Sequence, residues 1–320
     1  MTLPTLAEIE GAAERIAPFA HRTPTLTNTY LNAVTDATLY FKCENFQKVG
    51  AFKFRGATNA VFSLTDMEAA HGVATHSSGN HAQALALAAA NRGIPAYIIM
   101  PKNAPQVKID AVCGYGAEIT FCEPTLAARE STLDTVVQRT GAAFIHPYNN
   151  WKIIAGQATA ARELHMDIPE LDIVMAPVGG GGLLSGTALS TSFLVPACKV
   201  IAAEPKNADD AKRSFEAGAI IPSENPNTIC DGLLTSLGDK TFSIISRHVH
   251  DILTATEESI IRAMKMIWER MKIVVEPSSA VPLAVILEHG ERFAGKRVGI
   301  ILSGGNVDLT KLPWREGNAV

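Results

Sequence analysis

From residue 72 onward the chain alternates short β-branched or apolar runs with longer segments of helical period. GVATHS is followed by NHAQALALAAANR, PAYIIM by APQVKIDAVCGYG, and EITFCE by a helical stretch near 126–139 that leads into AAFIH. A strand that returns parallel to its predecessor needs a long crossover, so this rhythm restricts the chain to βαβ units around parallel sheets. It breaks at HPYNNW (146–151) and resumes, after a long helical segment, with DIVMAPV, a glycine run, KVIAAEP, HDILTAT, two helices and RVGIILS. The pattern predicts an α/β protein of two open twisted sheets flanked by helices. A small α/β domain is expected at 66–147, and a large domain built from both ends of the chain, 1–65 and 148–320.

Composition narrows the function classes. With 47% hydrophobic and 19% charged residues the chain can bury a large core, which excludes disorder. A formal charge of -4 leaves no basic footprint for nucleic acid. No apolar run reaches the roughly 18 residues of a membrane span. Glu8, Glu10 and Glu14 make the N-terminal segment an amphipathic helix rather than a signal peptide, and a cytoplasmic protein is expected. Cys43, Cys113, Cys122, Cys198 and Cys230 include no CxxC pair and read as buried thiols in a reducing compartment.

Four segments fall where parallel sheets collect ligands, at the carboxyl ends of strands. Gly179, Gly180, Gly181 and Gly182 follow DIVMAPV and precede a helix. Without Cβ atoms their N–H groups can turn toward one phosphate at the positive helix end, or simply make a tight turn. No Lys-Ser or Lys-Thr follows, so a Walker loop is excluded, and a dinucleotide fingerprint has the wrong spacing. Lys53, in GAFKFRGA, has apolar neighbours that would lower its pKa toward Schiff-base chemistry; a solvated surface lysine is the alternative. Ser77-Ser78-Gly79-Asn80-His81 is either an ordinary helix cap or a carboxylate receptor, and Ser303-Gly304-Gly305-Asn306 is on its own a turn.

In this order and spacing the segments resemble the fold type II pyridoxal-phosphate enzymes, in their serine racemase and serine/threonine dehydratase branch. The likeness runs from HRTP through FKCENFQKVGAFKFRGA, SSGNHAQA, IAGQ, GGGG, AAEPKNADDA, DGLL and EPSSAV to LSGGNVDL. HPYNN, EPSSAVPLA and GGNVDLTKLPW look most like the bacterial members that dehydrate 3-hydroxyaspartate. The resemblance implies that Lys53 holds pyridoxal 5'-phosphate as a Schiff base and later exchanges a proton with Cα. It implies that Gly179 to Gly182 cradle the phosphate, that Asn80 bonds the phenolic oxygen, and that Ser303 faces the pyridine nitrogen. Phe52 would lie against the ring, with Glu276 near the cofactor and Gly232 at its edge. Ser77, Ser78, Asn80 and His81 would receive the substrate carboxylate, and Arg129 a second carboxylate. Glu204, the carbonyl of Ala208 and Asp210 match a site for Mg²⁺ (or Ca²⁺ or Mn²⁺), although an acidic helix start explains the same residues in an arbitrary protein. A homodimer is expected from the resemblance alone.

A serine opposite the pyridine nitrogen protonates it poorly, which implies elimination rather than reactions that need a long-lived carbanion. The expectation is therefore a dehydratase acting on 3-hydroxyaspartate, serine or threonine to give a 2-oxo acid and ammonia. Two alternatives stay open: a racemase pairing Lys53 with Ser78 as second acid/base, and a cysteine synthase-like β-replacement enzyme. Ala51, Ala82 and Cys230 stand where relatives carry Ser, Gly and Ala.

Overall fold

The computed structural model describes residues 3–314. Ten strands are present among them: β1 (Thr25–Leu26), β2 (Thr38–Cys43), β3 (Val73–His76), β4 (Ala96–Pro101), β5 (Glu118–Cys122), β6 (Ala143–Phe144), β7 (Ile173–Pro177), β8 (Lys199–Pro205), β9 (Asp251–Ala255) and β10 (Arg297–Leu302). They form a six-stranded sheet in the order β1-β2-β10-β7-β8-β9 and a four-stranded sheet in the order β5-β4-β3-β6. Every pairing is parallel except β1 with β2. Strands covered on both faces read as continuous apolar runs, and all five residues of β7 are buried.

The larger sheet takes strands from both ends of the chain. Its last strand, β10, lies between β2 and β7, with Ile300 opposite Phe41 on one side and Met175 on the other. The smaller sheet lies wholly within residues 73–144. Between the sheets pack the Lys53–Phe62, Asn80–Arg92 and Trp151–Asp167 helices. A Cβ on Gly156 would come within 2.6 Å of the Gly56 backbone, so the first and last of these approach more closely than side chains permit.

A buried charge network locks that approach. Arg55 and Lys42 are fully buried. The Arg55 guanidinium donates to both carboxylate oxygens of Glu44 (2.7 and 2.9 Å) and to both of Glu163 (2.7 and 2.8 Å). Lys42 Nζ donates to Glu163 (2.6 Å) and the Thr23 carbonyl (2.7 Å). Two cations thus meet two carboxylates, a neutral set that satisfies the rule for burying charge. It ties the second residue after Lys53 to β2 and to the Trp151–Asp167 helix.

Of the cysteines, four are buried, but Cys113 is exposed, on the outer side of the Gln106–Gly114 helix. The expectation of uniformly buried thiols is corrected there, because that short helix covers the sheet with its other side. Among the described residues no helix is long and apolar enough to cross a membrane.

Candidate active site

The carboxyl ends of β3, β7 and β10 deliver three loops to one crevice, and the turn before the Lys53–Phe62 helix closes against the third. Ala51 bridges Gly304 antiparallel, and Phe52 N donates to the Ser303 carbonyl at 3.0 Å. Lys53 is the first residue of its helix. Its Nζ donates to the Pro147 carbonyl at 3.1 Å and lies 5.2 Å from the centre of the Phe52 ring. Burial lowers its pKa to about 8, against the opposing pull of the Glu276 carboxylate. The alternative of a solvated surface lysine is thereby set aside.

The glycine run is built as an anion receptor. A Cβ on Gly180 would meet the Tyr148 ring at 2.4 Å, and one on Gly181 would meet Ile245, Leu237 and Thr241 at 2.9 Å. Gly181 also has φ +86°, in the left-handed region. The first helical hydrogen bond is Ser185 N to the Gly181 carbonyl. The N–H groups of residues 179–184 have no acceptor among the described residues, although these residues are buried. Six buried donors at a helix N-terminus call for a bound anion with several oxygens. Tyr148 covers the glycines while the carbonyl before it holds Lys53, so lysine and cradle share one site.

The loop after β3 behaves differently from an ordinary cap. The N-cap of the Asn80–Arg92 helix is Gly79, and no side chain caps it. Ser77 Oγ accepts from Gly79 N at 3.4 Å, while the partly exposed Ser78 hydroxyl has no partner among the described residues. The amides of Ser78, Asn80, His81 and Ala82 likewise lack acceptors there. The His81 side chain turns away from this loop. It is buried with Nε2 3.3 Å from the Ile145 carbonyl, so Nε2 carries the proton and Nδ1 is a bare acceptor. Burial, followed by the Lys53 charge, holds its pKa well below the ordinary value. A neutral ring with its one proton spent has nothing to offer an anion; only the His81 amide does.

Asn80 is held by a cluster that joins the two sheets. Its Nδ2 lies 3.1 Å from both Glu276 oxygens, and its Oδ1 accepts from Asn306 Nδ2 at 2.9 Å. Asn306 also donates to the Val49 carbonyl (2.7 Å) and, through its backbone N–H, to Glu276 (3.2 Å). Burial, then the nearby Asp231 charge, pushes the Glu276 carboxyl up to about 7. Ser303 Oγ stands 3.1 Å from Ser279 Oγ, whose own proton is directed at the Gly304 carbonyl at 2.6 Å. Ser303 is therefore the donor of that pair and keeps its lone pairs. Gly232 N donates to Ser278 Oγ at 3.3 Å, and the preceding Asp231 pairs with Lys108 across the crevice at 2.5 Å.

Arg129, on the Leu126–Thr140 helix, is half-buried, with a buried Nε that has no partner and no ion pair among the described residues. After burial, its charge is what lowers the pKa of His76 at the end of β3. At the end of β8, Glu204 accepts from Ala211 N (2.8 Å) and Lys212 N (2.9 Å), which caps the Asp210–Ala217 helix. Burial pushes Glu204 up to about 8 and Asp210 up to about 6. Asp210 Oδ2 is buried without a partner, and the Ala208 carbonyl has no donor among the described residues. No group of three or more His, Cys, Asp or Glu is placed to hold a metal among those residues; Glu204 and Asp210 come as a pair.

Sequence reasoning missed Ser279, Asn306, His146 and Tyr148. Ser279 and Asn306 stood in the motifs EPSSAV and LSGGNVDL, and His146 and Tyr148 in HPYNNW, but none was singled out there.

These features coincide with what comparisons find. The chain matches the pyridoxal-phosphate dependent enzyme family over residues 16–304. It is 57% identical to the β-hydroxyaspartate dehydratase of Paracoccus denitrificans over 98% of this chain and 100% of that one. It is 46% identical to the L-threo-3-hydroxyaspartate ammonia-lyase of Saccharomyces cerevisiae, covering 97% and 96% of the two chains. The crystal structure of serine racemase from Dictyostelium discoideum superposes with a TM-score of 0.92 at 50% identity, covering 95% of this chain and 99% of that one. The chain belongs to the pyridoxal-phosphate dependent enzymes, with the fold type II architecture of the serine racemases and threonine deaminases.

The residues fit that cofactor. Six unpaired amides suit a phosphate ester, and an amine with a pKa of about 8 suits an aldehyde.

Proposed function

We propose that this enzyme is a dehydratase that eliminates water from 3-hydroxy amino acids, prefers 3-hydroxyaspartate to serine or threonine, and releases a 2-oxo acid and ammonia. The observation that carries the choice of substrate is Arg129: a half-buried guanidinium without an ion pair, beside the strand end that presents Ser77 and Ser78. Its planar fork suits the second carboxylate of a diacid. Two relatives named for hydroxyaspartate chemistry support the same reading.

Pyridoxal phosphate, when bound, supplies an aldehyde for the amine and an electron sink for the carbanion at Cα. Gly179 to Gly182 would hold its phosphate, Phe52 and Gly232 would flank it, and Asn80, Glu276 and Ser303 would bond its polar edge. Lys53, as a neutral amine, would be the base that takes the α-proton of the substrate. The free amides of Ser78, Asn80, His81 and Ala82, with the Ser77 hydroxyl, orient the α-carboxylate. Ser303 donates its hydroxyl hydrogen to Ser279, and its neutral oxygen would support a protonated ring nitrogen, and with it a carbanion, more weakly than a carboxylate would. The β-hydroxyl would leave as water, taking up the proton that Lys53 removed from Cα, without a long-lived carbanion.

A second reading, racemisation, is favoured by the unbonded Ser78 hydroxyl, which would act opposite Lys53. Mg²⁺ would suit Glu204, Asp210 and the Ala208 carbonyl: hard oxygens, two carboxylates whose mutual repulsion a dication relieves, and one buried oxygen without a partner. Its part would be to stiffen the end of β8. A cytoplasmic homodimer comes with the family likeness and is tested by sedimentation.

The deciding experiment is a panel of serine, threonine and the 3-hydroxyaspartate isomers, with oxo acid and enantiomer measured together. Comparable kcat/KM for all three substrates would refute the preference for the diacid. Product formation from O-acetylserine and sulfide in place of elimination would favour β-replacement.

A further inference from the structure

Residues 146–150 interrupt the strand and helix alternation, and this turn carries three separate parts of the site. The Pro147 carbonyl receives the Lys53 amine, the Tyr148 ring covers Gly180 while its Cβ and backbone face Gly182, and Asn149 accepts from Lys240 N (2.9 Å) and donates to Asp239 (2.6 Å). One atom organises the turn. His146 Nδ1 accepts from Tyr148 N at 3.3 Å and from Asn149 N at 3.0 Å. An accepting Nδ1 carries no proton, so the ring is the neutral Nε2–H form. The imidazole is wedged edge-on against Tyr148 (4.6 Å between ring centres) and lies among Phe144 (5.7 Å) and His76 (6.3 Å).

Resting on the pyridoxal phosphate reading, we propose that His146 is a positioning residue, which sets the Lys53 amine and the Tyr148 roof over the phosphate cradle in register with one another. Without its acceptor two half-buried amides lose their partner, and the turn that holds lysine and roof relaxes as one piece. The charges around the ring keep the acceptor available. Burial, then His76, Lys53 and Lys240, lower the His146 pKa to about 4, against the opposing pull of Asp239.

The test uses the Oδ1 of asparagine, which stands the same number of bonds from Cβ as the Nδ1 of histidine. H146N restores the acceptor, and H146L fills space without one. The full-length variants, wild type and K53A are titrated with pyridoxal phosphate. Covalent capture is measured by borohydride reduction and peptide mapping, and folding by thermal melting. H146L should bind the cofactor about ten-fold more weakly and show less capture at Lys53, while H146N stays within about three-fold of wild type. H146L binding like wild type, or H146N as weakly as H146L, overturns the proposal. A wild type with no capture at Lys53 overturns the underlying reading and the proposal with it. Independently of any variant, imidazole ¹⁵N spectra of the wild type should show His146 as the Nε2–H tautomer at neutral pH. A protonated Nδ1 there overturns the proposal however the variants fold.

Discussion

Replacing Arg55 with methionine keeps an unbranched apolar stem and removes the positive charge that answers Glu44. Lys42 then remains the cation of the set, and it bonds Glu163, not Glu44. Glu44 keeps one neutral partner, the Thr23 hydroxyl at 2.6 Å, and is fully buried. Leaving one partner of a buried ion pair uncompensated costs about 3–5 kcal/mol, a large share of the roughly 5–15 kcal/mol that hold a domain folded. Replacing Glu44 by glutamine in the same chain removes the orphaned charge, so the double variant should be more stable than Arg55→Met alone. Urea midpoints at unchanged m-value read both effects. The pH dependence has a sign. Burial raises the Glu163 pKa, but the hydrogen bond and charge of Arg55, and then Lys42, bring it below the ordinary carboxylate value. A depressed folded-state pKa stabilises above the unfolded value of roughly 4.5 and loses that stability as pH falls through the folded value. The gap between wild type and variant should therefore narrow in acid. A cost for Arg55→Met below about 1 kcal/mol, or a double variant no better than the single, would refute the reasoning.

Three further outcomes are expected. Gly181→Ala forces φ +86° on a residue with a Cβ placed 2.9 Å from three side chains, and should cost about 2–5 kcal/mol in thermal or urea melts while weakening cofactor retention; a variant of wild-type stability contradicts this. The rate at which cofactor-free enzyme takes up pyridoxal phosphate should rise with pH and level off above about 8, where Lys53 loses its proton, and an inflection at the ordinary lysine value of 10.5 would count against a buried amine. Arg129→Ala should lower kcat/KM for 3-hydroxyaspartate by about 10- to 100-fold, the worth of a charge-assisted bond, and leave serine nearly unaffected; equal losses on both substrates would remove Arg129 from substrate selection.

The strands after residue 72 were legible because parallel strands buried on two faces announce themselves as apolar runs, as β7 and β10 do, whereas β1 and β2, which lie before that rhythm begins, were not read. The glycine turn was legible as a shape, since a residue without Cβ is required where Tyr148 and Ile245 crowd the backbone. What could not be read is pairing over long separations. Asn80 reaches Glu276 across 196 positions and Asn306 across 226. Arg55 read as one charge in a motif, and only the folded chain shows that Glu44, Glu163 and Lys42 neutralise it. His81 and Asn80 are neighbours in one motif, yet one turns inward to a carbonyl and the other across the crevice, a divergence fixed by helix rotation rather than by residue type.

The position of β10 bears on how the chain comes together as it is synthesised. The strand that joins β2 to β7 is the last one made, so until about residue 302 emerges the larger sheet exists as two fragments with exposed inner edges. The smaller sheet is complete by residue 144 and can settle long before. A chain cut short before Arg297 would therefore retain a structured middle portion and present sticky, unzipped borders to its neighbours.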